Sequence, residues 1–263
     1  LARDQEQGID DDSFSAAAKF FCTLADFPRG TIAGDAVHKL FETIDFTQFL
    51  QNPGAEAQVK NIFRPYGFDE ASVVQMACTA VSHVLQTSLT HIPEHFRLMD
   101  IGMHQRITEM EFFFPVSRLD LALMADLLQQ ADSRFETSGY TRVLAETSEH
   151  AVNGFLKGFI DLIIQHRGKW YILDYKTNYL GPAWDHYQPD LLFNAMAAHH
   201  YFIQYYLYTV ALHRYLLLRQ PGYAYETHFG GIFYLFVRGM HPDNSRPCGI
   251  FFDRPPGTVV EDL

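Results

Sequence analysis

With 263 residues, 48% of them hydrophobic and 15% aromatic, the chain is long enough to bury a substantial core and too apolar to be a largely disordered polymer. Its 20 Lys and Arg against 31 Asp and Glu leave a formal net charge of −11, which argues against holding an anionic polymer by the overall Coulomb field alone. Such a substrate would have to be delivered by a basic partner or by the remainder of a longer chain, or meet locally concentrated basic residues.

The chain opens on LARDQEQGIDDD, without an initiator Met or an apolar signal core, so it reads as a piece cut from a longer polypeptide with no secretory signal. No apolar run approaches the roughly 18 residues of a membrane span. Cys22, Cys78 and Cys248 are scattered and form no C-x-x-C, which argues against a zinc or iron–sulfur site and against a disulfide framework. A reducing, cytoplasmic setting is expected.

Residues 1–29 read as a linker or leader, with a helix beginning near Ala18 and a loop at Phe27–Gly30. The spacing predicts a helix from Gly34, N-capped by Asp35, with Val37, Leu40, Phe41 and Ile44 as its apolar stripe and His38 beside it. Residues 51–66 are polar and punctuated by Pro and Gly. A buried helix is predicted from Glu70 to about His91, ended by His91–Glu94. Arg106–Val116 reads as a strand in which Glu109 and Glu111 alternate with Met110, Phe112 and Phe114, either as its wet side or as a carboxylate contributed to a site. Leu119–Gln130 has helical spacing, and a surface connection to His150 follows.

Gly158–Lys176, GFIDLIIQHRGKWYILDYK, reads as two strands around a short polar break containing Gly168. A turn at Arg167-Gly168 pairs residues whose numbers sum to 335, which sets Asp161 opposite Asp174 and places Lys176 on the same face as Asp174. Like charges facing across a ladder destabilise a sheet. A cation between them reverses that sign, and two carboxylates with a neighbouring ammonium are what metal-assisted phosphodiester cleavage requires. A bare D-x-K is common on solvent-facing strands; the apolar strands around it and the register coincidence favour a site.

Residues 178–190 read as a long loop and Leu191–Arg219 as one long helix, with Tyr201, Gln204, Tyr208, Ala211 and Tyr215 on one face. Gln204 is the exception in that aromatic stripe, because a buried amide needs partners. Gly230–Gly239 reads as a central strand, and the tail with Pro247, Pro255 and Pro256 as irregular. No G-x-x-x-x-G-K-[ST] phosphate loop is present, and no Ser/His/Asp or Cys/His arrangement stands out.

Taken together, Gly158–Asp161, Ile172–Asn178, Gln204–Tyr208, Leu212–Tyr215, His228–Gly231, Tyr234–Phe236 and Arg238-Gly239 resemble the nuclease domains of the RecB family of helicase–nucleases, within the PD-(D/E)XK superfamily. Gly34–His38 and Glu109–Phe112 are similar to its earlier motifs, so the resemblance runs from about residue 30 to the end. It implies an α/β fold with a mixed central sheet flanked by helices, a nuclease domain over residues 30–263, and Mg²⁺-dependent cutting of DNA, mainly single-stranded; Mn²⁺ or Ca²⁺ could occupy the same site. Carried over by position, it implies Asp161, Asp174, His38 and the Tyr175 carbonyl as metal ligands. Asp174, Lys176, Asp161 and Glu109 would be the catalytic group, with Glu111 as second candidate for the upstream acid. Gln204 and Tyr208 would support the site and contact the strand. Three cysteines cannot supply the four that cluster-bearing relatives use, so no iron–sulfur cluster is expected. An AddA-type module remains an alternative, although His228–Gly231 favours the RecB type. RecC, RecD and RecA are the partners the resemblance implies. Competing readings are a non-catalytic interaction module on the same fold and a restriction or CRISPR-adaptation nuclease.

Overall fold

The computed structural model describes residues 22, 24–89, 96–119, 121–146, 152–244 and 246–263. Most of the expected leader, and the helix-ending segment His91–Glu94, lie outside them. The strands are β1 (Arg106–Leu119), β2 (Val152–His166), β3 (Lys169–Lys176), β4 (Phe229–Phe236) and β5 (Ile250–Asp253). They form one sheet in the order β1-β2-β3-β4-β5, parallel between β3 and β4 and antiparallel elsewhere.

The β2–β3 turn is Arg167-Gly168 with φ of 47° and 80°, the doubly left-handed turn that fits the twist of a two-residue hairpin. All five β2–β3 pairs, from His166↔Lys169 to Leu162↔Leu173, sum to 335 as expected. Regular pairing ends there, one step short of Asp161 and Asp174.

Helices cover both faces. Alternation along β3 sends Tyr171, Leu173 and Tyr175 to a core shared with α1 (Thr31–Thr43), α2 (Ala55–Phe63) and α3 (Ala71–Gln86). Ile172, with Ile232 and Tyr234 of β4, packs on the other face against α4 (Leu121–Ala131), α5 (Ser133–Thr137), α6 (Tyr140–Glu146), α7 (Pro189–Ala198) and α8 (Tyr201–Arg219). Short helices α9 (Tyr225–His228) and α10 (Gly257–Asp262) flank β4 and β5. Among the described residues no helix is long and apolar enough to cross a membrane.

Several expected boundaries move. Helix α1 starts at Thr31 after Gly30, whose φ of 97° suits glycine, so Asp35 lies inside the helix and is not its cap. The helix expected over 191–219 is two, because His200 adopts a left-handed conformation (φ 55°) that ends one and starts the next. The connection before His150 carries α5 and α6, which bury Phe135, Tyr140 and Leu144. Residues 51–66 include α2, and the tail forms β5 and α10, elements too short for periodicity to reveal.

One buried side chain ties these parts together beside the end of β3. Arg238, 1% exposed, donates from Nε to the Thr177 carbonyl (2.7 Å), from Nη1 to those of Leu24 (2.5 Å) and Phe27 (3.2 Å), and from Nη2 to that of Pro28 (2.6 Å). The guanidinium fork thereby fixes the segment leading into α1 against the residue after Lys176. Lysine has neither the planar fork nor enough donors for four carbonyls. Arg238→Lys is expected to lower unfolding free energy by roughly 2–4 kcal/mol, read as a reduced urea midpoint at unchanged m value; a loss below about 0.5 kcal/mol, the range of ordinary surface substitutions, would reject the clamp.

Candidate active site

Asp174 and Lys176 lie on β3, whose last six residues are all buried. Asp174 is 1% and Lys176 8% exposed, and Lys176 Nζ stands 2.6 Å from Asp174 Oδ1. The contact is an ion pair outside hydrogen-bond alignment, since Oδ1 has no hydrogen-bond donor. Lys176 donates to Gln204 Oε1 (3.0 Å) and lies 4.1 Å from the centre of the Tyr201 ring and 5.1 Å from that of Tyr234. The Tyr234 hydroxyl also donates to Gln204 Oε1 (3.0 Å), while Gln204 Nε2 donates to the Tyr208 hydroxyl (2.7 Å). The amide singled out by sequence is therefore satisfied on both ends. The break at His200 places Tyr201 and Gln204 in the first turn of α8, within reach of Lys176.

Asp161 stands where the sheet stops pairing on both sides. On its β3 side, its Oδ2 accepts from the Tyr175 N–H (3.1 Å). On its β1 side, the pairs Thr108↔Leu162 and Met110↔Ile160 set it across from Glu109, which leaves the ladder at φ 52°. A left-handed glutamate within a strand is strained, and here it marks a reversal of alternation. Ile107 and Met110 pack into the same core, as do Ile160 and Ile163, whereas Leu162 packs into the other. Both strands therefore turn over at Glu109 and Asp161.

From α1, His38 Nδ1 approaches Asp161 Oδ2 to 3.0 Å. Burial opposes the imidazolium, but the Asp161 hydrogen bond and charge, with the Asp174 charge, outweigh it, so the His38 pKa is raised. The Tyr175 ring stacks on Phe41 of α1, with centroids 4.2 Å apart. Glu109 has its carboxyl pKa raised by burial and then by Asp161 and Glu42, against His38 and Lys39. Glu111 is exposed and ion-paired with Lys157 at 2.7 Å. Of the two glutamates, the structure thus brings Glu109 and not Glu111 to the carboxylate group.

Burial, followed by the Asp161 charge, pushes Asp174 up to about 7 against the pull of Lys176 and His38. Among the described residues no three His, Cys, Asp or Glu side chains already converge as a metal-binding group; Asp174 instead faces Lys176, and Asp161 faces His38. The donor set nevertheless fits a hard divalent cation: carboxylate oxygens, one buried without a hydrogen bond, an imidazole, and the Tyr175 peptide between Asp174 and Lys176. A cleft of about 470 Å³ opens beside these groups, lined among others by Arg29, Gly34, His38, Lys176 and Tyr179.

Sequence reasoning missed three contributors. Tyr234 was hidden in a uniformly apolar strand, although a phenol directly across the parallel pairing from Asp174 is a signal once that register is known. Asn178 donates from Nδ2 to His199 Nε2 (3.1 Å) and accepts at Oδ1 from the Tyr201 hydroxyl (3.1 Å), holding the ring beside Lys176. Arg238 belongs to the Arg238-Gly239 match, but nothing in its spacing assigns it the clamp on the carbonyls of Leu24, Phe27, Pro28 and Thr177.

Residues 24–248 match the PD-(D/E)XK nuclease superfamily. The chain is 37% identical over 234 residues to the RecBCD enzyme subunit RecB of Escherichia coli, a match covering 89% of this chain and 19% of that protein. It is 31% identical to the RecB subunit of Haemophilus influenzae, covering 91% of this chain and 19% of the relative. With the RecB subunit of Mycobacterium tuberculosis it shares 32% identity, covering 91% and 24%. The chain thus spans about a fifth of the length of these relatives.

The raised Asp174 pKa sets a testable stability relation. A carboxyl whose folded pKa lies above its unfolded value contributes stability at low pH that is lost as pH rises, here between about 4 and about 7. A divalent cation that engages the deprotonated group offsets this loss. Millimolar Mg²⁺ or Mn²⁺ is expected to raise Tm clearly at pH 8 and little at pH 5; an equal or larger gain at pH 5 would contradict this placement.

Proposed function

Because the chain belongs to the PD-(D/E)XK nuclease superfamily, we propose that this RecB-like domain is a Mg²⁺-dependent deoxyribonuclease that hydrolyses phosphodiester bonds of single-stranded DNA. The observation that carries this reading is the convergence, where the β2–β3 pairing ends, of Asp161, Asp174 and Lys176, with Lys176 Nζ 2.6 Å from Asp174 and His38 Nδ1 3.0 Å from Asp161.

Asp161, Asp174, His38 and the Tyr175 carbonyl would hold the cation, with Glu109 beside them. When bound, the cation supplies charge neutralisation at the phosphate and lowers the pKa of an attacking water. Lys176 is held by Gln204 and the rings of Tyr201 and Tyr234, so its ammonium can orient the water or a non-bridging oxygen without reorganising. Gln204 is itself fixed from both sides by Tyr208 and Tyr234. Tyr208 and Gln204 would support the site and contact the strand. By likeness to RecB subunits of RecBCD enzymes, the domain would work in break processing and recombination, on strands fed by a helicase, with RecC, RecD and RecA as partners.

Asp174→Ala and Lys176→Ala are each expected to reduce Mg²⁺-dependent digestion of a single-stranded oligonucleotide by about 10²- to 10³-fold or more, the scale of one electrostatic stabiliser being about 10²–10³, with near-UV circular dichroism retained. Chelator should stop the unaltered chain. Chelator-resistant cutting, or full activity in either variant, would overturn the assignment. Metal binding and intact folding without cutting would turn the reading to a non-catalytic module.

Removing the support behind the lysine should act more gently. Tyr234→Phe deletes one of the two hydrogen bonds that Gln204 Oε1 accepts, and a fall of about 3- to 30-fold in kcat is expected at nearly unchanged KM, together with roughly 1 kcal/mol of stability. A change confined to KM would place Tyr234 in strand binding instead.

A further inference from the structure

Beyond the turnover at Glu109 and Asp161, β1 and β2 run on as a two-stranded ribbon that β3 does not reach, pairing from Met110↔Ile160 to Leu119↔Val152. One ribbon face packs inward: Phe112 lies in the α8-side core, with Phe114 and Leu156 against it. Gly158 is required there, since a Cβ would lie 2.4 Å from the Phe112 ring. The opposite face is left to solvent. Phe113 is 62%, Phe155 68% and Phe159 44% exposed, and the first two stack with centroids 4.7 Å apart and planes within 5°. Between them and Phe159, Lys157 is neutralised by Glu111 at 2.7 Å and lies 5.7 Å from the Phe159 ring centre.

Resting on the nuclease reading above, we propose that this ribbon face is a stacking platform for the bases of the single strand being cut. Three observations select that occupant. The platform adjoins the carboxylates along the chain, since Phe159 lies two residues before Asp161 on β2 and Glu111 two after Glu109 on β1. At about 3.3 Å per residue, Phe159 and Phe155 stand roughly 7 and 20 Å along β2 from Asp161, a reach of a few nucleotides. Among the described side chains, the exposed hydrophobic ones of the ribbon are Phe113, Phe155 and Phe159, all aromatic, offering flat π faces where a protein-binding surface would also present aliphatic knobs. Among the described side chains its charges are Lys157 and Glu111, which neutralise each other, so on a chain of net charge −11 the attraction would be stacking, which is tolerant of sequence. With the 470 Å³ cleft on the Lys176 side of His38, the platform would give the strand footing on both sides of the site.

The test separates binding from cutting. Phe113→Ala/Phe155→Ala, made in the 263-residue chain carrying Lys176→Ala to prevent turnover, is titrated with fluorescein-labelled dT20 in Mg²⁺ and followed by anisotropy. Affinity is expected to fall about tenfold or more, on the scale of losing one to two stacked bases, and Phe113→Tyr/Phe155→Tyr should restore it. An oligomer of the same length with abasic sites in place of bases should bind the parent and the double variant alike. Unchanged dT20 affinity, or an equal loss on the abasic oligomer, would overturn the platform, as would a change in oligomeric state by sedimentation with DNA binding intact. Phenylalanine-dependent binding of dT20 in the Lys176→Ala background, with no Mg²⁺-dependent cutting by the unaltered 263-residue chain, would retain the platform and remove the nuclease reading; cutting by the unaltered chain with phenylalanine-independent binding would do the reverse.

Discussion

The buried Asp174–Lys176 pair is the constraint to which the surrounding structure answers. Two charges with 1% and 10% of their side chains exposed are expensive to desolvate, and a well-packed apolar pair at the same place would serve stability as well or better. Their presence therefore speaks for chemistry more than for folding. Holding them requires a polar partner inside an otherwise aromatic helix face, and that partner is Gln204. An amide in that position must have both its ends satisfied, and Tyr208 and Tyr234 do so. Tyr201 can reach the ammonium only because α8 restarts at the left-handed His200.

The second constraint is how three carboxylates come to stand in a row across a sheet. Glu109, Asp161 and Asp174 occupy facing positions on β1, β2 and β3, and regular pairing lapses at each junction. The left-handed Glu109 is the visible strain. Its consequence is geometric: one core face passes from one residue parity to the other, so Asp161 can take the Tyr175 N–H from β3 and His38 from α1 at the same oxygen. Helix α1 in turn is seated by Phe41 against Tyr175 and by the entry segment clamped to Arg238. Strain on one strand, a helix carrying one histidine and a buried arginine far along the chain thus form one mechanical unit.

The hairpin was legible because its determinants are local. A two-residue turn with Gly168 fixes the register, and the register fixes which side chains face one another. His38 was not legible from its own surroundings, where a histidine beside an apolar stripe has many ordinary explanations; the motif resemblance, not periodicity, selected it. Glu109 could not be separated from Glu111 because strict alternation treats both alike, and only the departure from alternation at φ 52° distinguishes them. The Asp35 cap failed because Gly30 can adopt a backbone angle other residues avoid, which starts the helix earlier. Tyr234 and Arg238 stayed hidden for a different reason: their partners are main-chain carbonyls and an amide from segments remote in sequence, contacts that leave no spacing behind.

The acidity of the chain looks different once side chains are placed. Part of it is concentrated where a divalent cation would neutralise it, at Glu109, Asp161 and Asp174, and the basic groups lining the cleft, Arg29, His38, Lys176 and His199, are few. A surface of this kind cannot hold a phosphodiester backbone by releasing many counterions. What it offers instead is flat apolar area next to the proposed chemistry, in the exposed Phe113–Phe155 stack and Phe159. Stacking loses little to salt or to the negative field around it, because it acts on the bases and not on the phosphates. An acidic nuclease domain and an aromatic ribbon beside its carboxylates would then be two expressions of one arrangement, in which charge is reserved for the reacting phosphate and the rest of the proposed strand is held by its bases.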